Sequence, residues 1–313
     1  MQVALLFYTM KIAIIDLGTN TFKLSFADIA SRNFDIRHGG LFDVKLGKEG
    51  LAAGAISSAA FQRGLLAMEQ IMEVIHREKA TKTIAVATSA IRSSKNGKLL
   101  VDEIKKRWPI ELEIVDGDKE AKLIYKGVKA LVPFNHQPYL ILDIGGGSNE
   151  FIIANQKKLL WKKSFNLGIA RLLESFQPSD PILEHEIVKI ERYLDDHLPE
   201  LDEALKKYHP EILIGTSGTF ETIRSLIHEG RKEDETSHSK KILLEDFYKT
   251  HQKLLKSSIK ERLNMRGMEA LRVEMIVLAS IFVNFILKKY QIKSIIQSDY
   301  AIKEGLLLQY LNQ

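Results

Sequence analysis

KIAIIDLGTNTFKL (Lys11–Leu24) and PYLILDIGGGSNEFII (Pro138–Ile153) open in the same way: an apolar run ends in an aspartate and gives way to a turn rich in Gly, Ser, Thr and Asn. Ile12, Ile14 and Ile15, and later Leu140, Ile141 and Leu142, are short continuous apolar runs of the kind a sheet buries on both faces. Asp16 and Asp143 therefore fall at strand ends, where a carboxylate reaches solvent or a metal. Gly18, Gly145, Gly146 and Gly147 follow, and glycine admits backbone angles closed to other residues and lets amides approach a ligand closely. With Thr19, Asn20, Thr21 and Ser148, each turn makes a cradle suited to phosphate oxygens. One such turn alone is equally well an ordinary hairpin. The same turn twice, half a chain apart, reads as two related lobes that each offer a loop to one phosphate-bearing ligand.

The rest of the composition narrows the class. A chain of 313 residues with 45% hydrophobic and 27% charged residues has room for about two domains and a sizeable core. Lysine and arginine number 45 against 40 acidic residues. That excess fits an anionic ligand, and no nucleic-acid-binding motif accompanies it. The absence of cysteine excludes disulfides, thiolate metal sites and cysteine nucleophiles. The opening MQVALLFYTM lacks a basic leader and a small-residue cleavage site, so no signal peptide is expected and the cytoplasm is the expected compartment. Met10, directly before the first strand, reads as an alternative start. Met275–Leu287, the longest apolar stretch, is interrupted by Ser280 and Asn284 and is too short to span a bilayer, so it is expected to be a core helix.

Along the chain, LSFADI and NFDIRHGGLFDVKL alternate like strands, giving a β-meander to about Leu46. Ser57 or Ser58 then caps a helix in which Phe61, Leu65, Met68, Met72 and Ile75 recur at helical spacing. A strand over Thr83–Arg92, a helix over Gly97–Arg107, a strand over Glu111–Gly117 and a helix over Asp118–Leu131 follow. Pro133 and Pro138 mark a break. The second lobe restarts with strand, Gly-rich turn and strand over Pro138–Leu160, then helices to Tyr208, a buried strand over Glu211–Thr219 and another helix. HEGRKEDETSHSKK (His228–Lys241) reads as a solvated loop. Helices over Leu244–Tyr290, a strand over Ser294–Asp299 and a terminal helix complete the chain. The expected architecture is α/β, two lobes with a cleft between them.

Several blocks resemble one family. They are Asp16-Leu17-Gly18-Thr19-Asn20-Thr21, Ala87-Thr88-Ser89-Ala90-Ile91-Arg92, Gly117-Asp118-Lys119-Glu120-Ala121, Asp143 through Glu150, Asn166 through Arg171, Gly215-Thr216-Ser217-Gly218-Thr219, and Ser298-Asp299 with Lys303-Glu304-Gly305. In this order they resemble the exopolyphosphatase and guanosine pentaphosphate phosphohydrolase (Ppx/GppA) family, in its short two-domain form. That family is a branch of the actin, sugar-kinase and Hsp70 superfamily. The resemblance implies two ribonuclease-H-like lobes with an interlobe cleft. Residues 1–126 with 298–313 would form the first lobe, with 127–297 the second.

The resemblance also implies roles. Glu120 would be the general base that activates water, and Glu150 would position water or metal. Arg92 would contact phosphate, and Gly215, Thr216, Ser217 and Gly218 would bind further phosphates, as Arg171 and Lys303 would. Read from the residues alone, a surface glutamate in an acidic first helical turn is the favoured reading of Glu120, and the resemblance reverses it. Lys119 before it departs from the pair of glutamates common in the family, and a neighbouring positive charge weakens a carboxylate base. Asp16, Asp143 and Glu150 are hard oxygen ligands suited to Mg²⁺ or another divalent cation. For the two aspartates, capping of turn amides is the alternative. Arg272 and Glu274, two apart on an expected helix, match a family Arg-x-Asp pattern with Glu for Asp and have no assigned role.

The expected activity is hydrolysis of terminal phosphoanhydride bonds of inorganic polyphosphate. Hydrolysis of the 5′-phosphate of guanosine pentaphosphate is the alternative in the same class. A non-catalytic polyphosphate or alarmone sensor, and a kinase of the superfamily, are alternatives outside it. No nucleic acid or membrane partner is expected, and a homodimer is left open by the resemblance.

Overall fold

The computed structural model describes residues 10–30, 33–48, 50, 54–231 and 239–312. They divide into two compact units, one within Met1–Asp116 and Leu306–Gln313, the other Gly117–Gly305. This division puts the helix that bears Glu120 in the second unit, whereas the boundary expected from the resemblance falls after residue 126. The alternative start at Met10 concerns residues 1–9, which lie outside the described residues.

Unit 1 begins with the meander β1 (Met10–Leu17), β2 (Thr21–Ala30) and β3 (Asn33–Asp43). Helix α1 (Ser58–Arg77) follows, then β4 (Lys82–Ala87), the short α2 (Ser89–Ser93), α3 (Gly97–Arg107) and β5 (Glu111–Ile114). The sheet order is β3-β2-β1-β4-β5, antiparallel across β1–β3 and parallel across β1, β4 and β5. Ser57 caps α1 by accepting from the Ala60 amide at 3.2 Å. Leu65, Met68 and Ile75 of the expected stripe are buried, and Phe61 and Met72 are half-buried.

The strand expected over Thr83–Arg92 stops at Ala87. Thr88 turns the chain into α2, and the Arg92 amide bonds the Thr88 carbonyl at 2.9 Å, so Arg92 is helical. The apolar run through Ala90 and Ile91 hides this boundary, because both residues are buried in a helix as they would be in a strand.

Unit 2 starts with α4 (Gly117–Leu131), β6 (Tyr139–Ile144), β7 (Asn149–Ala154) and β8 (Leu159–Phe165). Helices α5 (Ile169–Phe176), α6 (Glu184–His197) and α7 (Pro199–Tyr208) lead to β9 (Ile212–Thr216) and α8 (Ser217–Ile227). Then come β10 (Ser239–Ile242), α9 (Leu244–Leu255), α10 (Ile259–Leu263), α11 (Ile276–Lys289), β11 (Ser294–Ser298) and α12 (Ile302–Leu311), within which the unit boundary falls. The sheet order is β10-β11-β9-β6-β7-β8. Read as β8-β7-β6-β9-β11, it repeats unit 1 strand for strand, with the same antiparallel hairpins and the same parallel crossovers. Each unit is thus a ribonuclease-H-like lobe, and the duplicated opening in the sequence is a duplicated fold.

Two boundaries differ from expectation. The polar run His228–Lys241 ends in β10, antiparallel to β11 at the sheet edge, with residues 232–238 of the run outside the described residues. Lysines are common on edge strands because they discourage further pairing, and Lys240 and Lys241 disguise this one as loop. The strand expected to reach Thr219 ends at Thr216, and Gly218 and Thr219 belong to α8.

Helix α11 is buried along Ile276–Leu287 as expected and packs against α9, α8, α6 and α5. There Ser280 donates its only hydroxyl proton to the Val277 carbonyl at 2.8 Å. His251 Nδ1 of α9 lies 3.0 Å from the Ser280 Oγ, whose proton is already committed, so Nδ1 must carry the hydrogen and donate to it. His251 is 3% exposed, and burial, reinforced by the Lys288 charge, pushes its pKa down to about 4. The unfolded chain takes up that proton below the ordinary value near 6.5, whereas the folded one resists it until about 4. Stability is therefore whole above pH 6.5 and declines as pH falls toward 4, by roughly 3 kcal/mol from this group. In urea unfolding from pH 7 to pH 4, His251→Gln should show a shallower loss than the parent chain; equal slopes would rule the histidine out.

Candidate functional site

The two loops are built alike. In each, the first glycine amide closes the turn onto the carbonyl three residues on: Gly18 to Thr21 at 3.2 Å and Gly145 to Ser148 at 3.0 Å. None of the loop glycines has a left-handed backbone; among the described residues such glycines are Gly40, Gly54, Gly230 and Gly267. The expectation of special angles at Gly18 and Gly145 is corrected accordingly. A Cβ there would come within 2.9 Å of the Thr21 oxygen and 2.6 Å of the Ser148 oxygen, so closeness demands glycine, not φ.

The loop carbonyls are tied back into the fold. In unit 1 the Thr19 carbonyl accepts from Leu46 at 2.8 Å, and that of Asn20 accepts from Val44 and Lys45 at 2.9 and 2.8 Å. In unit 2 the Gly145 carbonyl accepts from Ile169 and that of Gly146 from Ala170, both at 2.9 Å, while the Gly147 carbonyl accepts from Arg171 Nε at 2.8 Å. A trans peptide sets C=O and N–H on opposite sides. The amides of Asn20 and Thr21, and of Gly146, Gly147 and Ser148, are therefore turned away from those anchors. Successive amides turned the same way form the concave, partly positive surface that binds anions. Gly168 is required for this bracing, since a Cβ on it would lie 2.4 Å from the Gly146 and Gly147 backbone.

The carboxylates sit on one face of the unit 2 sheet. Ser239, Ser298, Thr216, Asp143, Glu150 and Ser164 are register partners from strand to strand, a polar row across all six strands. Asp143 and Glu150 face each other across β6 and β7 at 6% and 2% exposure. Hydroxyls hold them: Ser148 and Ser164 each donate to Glu150 Oε1 at 2.7 Å, and Ser217 donates to both Asp143 oxygens at 2.7 and 2.8 Å. Ser217 has φ +68°, a strained conformation for a side-chain-bearing residue, at the first position of α8. Its hydroxyl therefore orients Asp143, a use the sequence reading did not assign. Like charges directly opposite destabilise a sheet unless something offsets them. A pair of oxygen ligands of this kind fits Mg²⁺, which typically takes one or two carboxylates plus phosphates and water.

Asp16 lies in unit 1, and no cluster of three potential metal-ligating His, Cys, Asp or Glu residues occurs among the described residues. Its register partner on β2 is Lys23, half-buried and on the same face. The sequence reading missed Lys23; the alternation of Thr21, Lys23 and Ser25 on β2 was the available signal.

Glu120 lies in the first turn of α4 at 7% exposure, so it is no surface glutamate. Helix α4 packs on β7 and β8. Lys162 of β8, two residues before Ser164 and on the same face, pairs with Asp118. Helix α4 thus covers the face that carries Glu150.

The remaining expected contacts are partly committed within the protein. Arg92 donates to the Val115 carbonyl at 3.0 Å. Lys303 donates to the Asp299 carbonyl at 2.9 Å and pairs with Glu304 at 2.8 Å. Burial alone would lower the Lys303 pKa, but the Glu304 carboxylate, with Glu221 and Asp299, raises it. Arg272 is on a 3₁₀ turn (Ala270–Arg272) before α11, not on a helix shared with Glu274. Its guanidinium packs so closely on Gly218 that a Cβ there would lie 1.9 Å from Nη2. A cavity of about 1170 Å³ in unit 1, flanked by Trp108, Lys105 and Tyr310, lies by the amino-terminal ends of β4 and β5 and includes none of the motif residues.

Each unit is thus a ribonuclease-H-like lobe with a like-built glycine loop after its first strand. The chain matches the Ppx/GppA phosphatase family over residues 27–313 and belongs to it. The crystal structure of an exopolyphosphatase from Cytophaga hutchinsonii is 37% identical, with a TM-score of 0.91 over 96% of this chain and 98% of that one. A putative exopolyphosphatase of Haemophilus influenzae is 26% identical over 95% of this chain and 90% of its own length. A bifunctional 3-dehydroquinate synthase/phosphatase of Fusobacterium nucleatum is 30% identical over 74% of this chain, which spans 36% of that longer protein. Among the described residues, no helix is long and apolar enough to cross a membrane.

Proposed function

We propose that the protein is an exopolyphosphatase that removes terminal orthophosphate from inorganic polyphosphate by attack of water on the last phosphorus. The observation that carries this reading is the pair of like-built amide loops, which suits a ligand with phosphate groups in series, together with a buried glutamate on the helix covering the carboxylate face. Polyphosphate is a chain of identical anionic units, and oriented amides recognise phosphoryl oxygens without needing a base or sugar.

In the proposed reaction Glu120 accepts a proton from water as its oxygen bonds to the terminal phosphorus. The bond from that phosphorus to its bridging oxygen breaks, and the oxygen leaves with the electron pair as a terminal phosphate oxygen of the shortened chain. Burial of Glu120 keeps bulk water from competing for that proton. Within unit 2 the turned amides of Gly146, Gly147 and Ser148 would stabilise charge on phosphoryl oxygens, and those of Asn20 and Thr21 would do the same for phosphate held at unit 1. Asp143 and Glu150 of unit 2 are the residues there that would hold Mg²⁺, which would neutralise phosphate charge, and Asp16 is the carboxylate that unit 1 would offer a divalent cation. Ser217, Ser148 and Ser164 keep two of those carboxylates oriented.

Orthophosphate release from long-chain polyphosphate, guanosine pentaphosphate and ATP, measured under one set of Mg²⁺ conditions, tests the reading. Polyphosphate is expected to be turned over fastest, with product chains shortening from their ends. Faster turnover of guanosine pentaphosphate would replace this reading with the alarmone phosphohydrolase, and tight polyphosphate binding without turnover would replace it with a sensor.

A further inference from the structure

We infer that Ser89 is a substrate-binding residue of unit 1, its hydroxyl donating to a phosphoryl oxygen held at the Gly18–Thr21 loop. Ser89 is 3% exposed, and among the described residues its Oγ has no hydrogen-bond partner. A buried hydroxyl left unsatisfied destabilises the folded state, so one that a native protein retains calls for an explanation, of which completion by a ligand is one.

Its place in the fold supplies the ligand. Ser89 opens α2 directly after β4, the parallel neighbour of β1. The preceding residue, Thr88, donates its amide to the Leu17 carbonyl at 3.2 Å, and its hydroxyl lies 3.4 Å from the same oxygen. Leu17 is the residue before Gly18, so Ser89 follows the point where β4 is fastened to the loop. On its other side β1 pairs antiparallel with β2, so the carboxyl ends of β1 and β4 form the place where the sheet changes direction of winding. Open α/β sheets bind their ligands outside such a point.

Unit 2 offers the comparison. After the corresponding strand β9, the serine that opens α8 is Ser217, and its hydroxyl is fully used by Asp143. The two lobes thus carry a serine at the start of the helix after the same strand, one satisfied by the protein and one not. The first orients a carboxylate; the second is left to meet the ligand.

This assignment rests on the proposed phosphate chemistry, and its test separates the two. Ser89→Ala should raise the unfolding temperature of the ligand-free protein by about 2–4 °C, because the unsatisfied hydroxyl is gone. The same change should weaken binding of tripolyphosphate with Mg²⁺, measured by calorimetry, by about tenfold. A hydroxyl with a purely structural role gives the opposite pair: lower unfolding temperature and unchanged affinity, and that result overturns the assignment. Equal tripolyphosphate affinity in the two proteins, when the parent chain turns over polyphosphate, also overturns the role of Ser89 and leaves the proposed function standing. A parent chain that neither binds tripolyphosphate nor turns over polyphosphate overturns both.

Discussion

Glu120→Gln is expected to lower the rate of orthophosphate release from polyphosphate by about 10²–10⁴-fold, the usual contribution of a positioned general base. Glutamine keeps the shape of the side chain and its place in the first turn of α4 but cannot accept the proton. Tripolyphosphate affinity and unfolding temperature should stay close to those of the parent chain, because neither the loop amides nor the covering of the sheet by α4 is altered. The comparison of kcat with KM is decisive: a loss confined to kcat marks a group acting only in the transition state. A variant with full kcat would transfer the role of base to another residue. A variant that loses binding and stability together would make Glu120 a structural carboxylate.

The second large effect is expected where no charged group is involved. Helices α4 and α12 approach at backbone distance within unit 2: a Cβ on Gly305 would lie 1.8 Å from the Leu123 carbonyl oxygen, and one on Gly127 would lie 2.0 Å from that of Ala301. Neither obstacle is a flexible side chain that can swing aside, so the helices themselves must separate. Gly305→Ala should cost on the order of 3 kcal/mol, a large overpacking penalty. For a unit of this size that is a fall of roughly 6–12 °C in unfolding temperature. Because α4 carries Glu120, kcat should fall as well, even at temperatures where the variant is fully folded. Thermal unfolding and steady-state assays of the same preparation would read both; an unchanged unfolding temperature would show that the crossing can open at little cost.

What the sequence revealed and what it hid follow from the range of the interactions concerned. The repeated strand and turn at Ile12–Thr21 and Leu140–Ser148 are local patterns, so the duplicated lobe was legible, as were the buried stripe of α1 and the apolar helix α11. Local readings failed where tertiary contacts set the boundary. Ala90 and Ile91 are apolar enough to prolong a strand, yet the fastening of Thr88 to Leu17 ends it. Lys240 and Lys241 read as solvent until β11 offers them a partner strand. In the site, the contacts that these side chains make within the protein were only partly visible. Ser217, expected to bind phosphate, donates to Asp143 within the protein. Arg171, expected to bind phosphate, braces the Gly147 carbonyl. The tying back of the loop carbonyls depends on Val44–Leu46 and Ile169–Arg171, distant segments that no turn signature announces. Membership of α4 in unit 2 is likewise a packing fact, fixed by β7 and β8.

The central claim is that water, activated within this protein, attacks the terminal phosphorus of polyphosphate. Turnover in ¹⁸O-labelled water, followed by mass analysis of the released orthophosphate, tests it most directly. One ¹⁸O per orthophosphate released, with no acceptor molecule added and with release suppressed in Glu120→Gln, is the predicted result. Release that requires an added hydroxyl acceptor, or orthophosphate that carries no label, would contradict it.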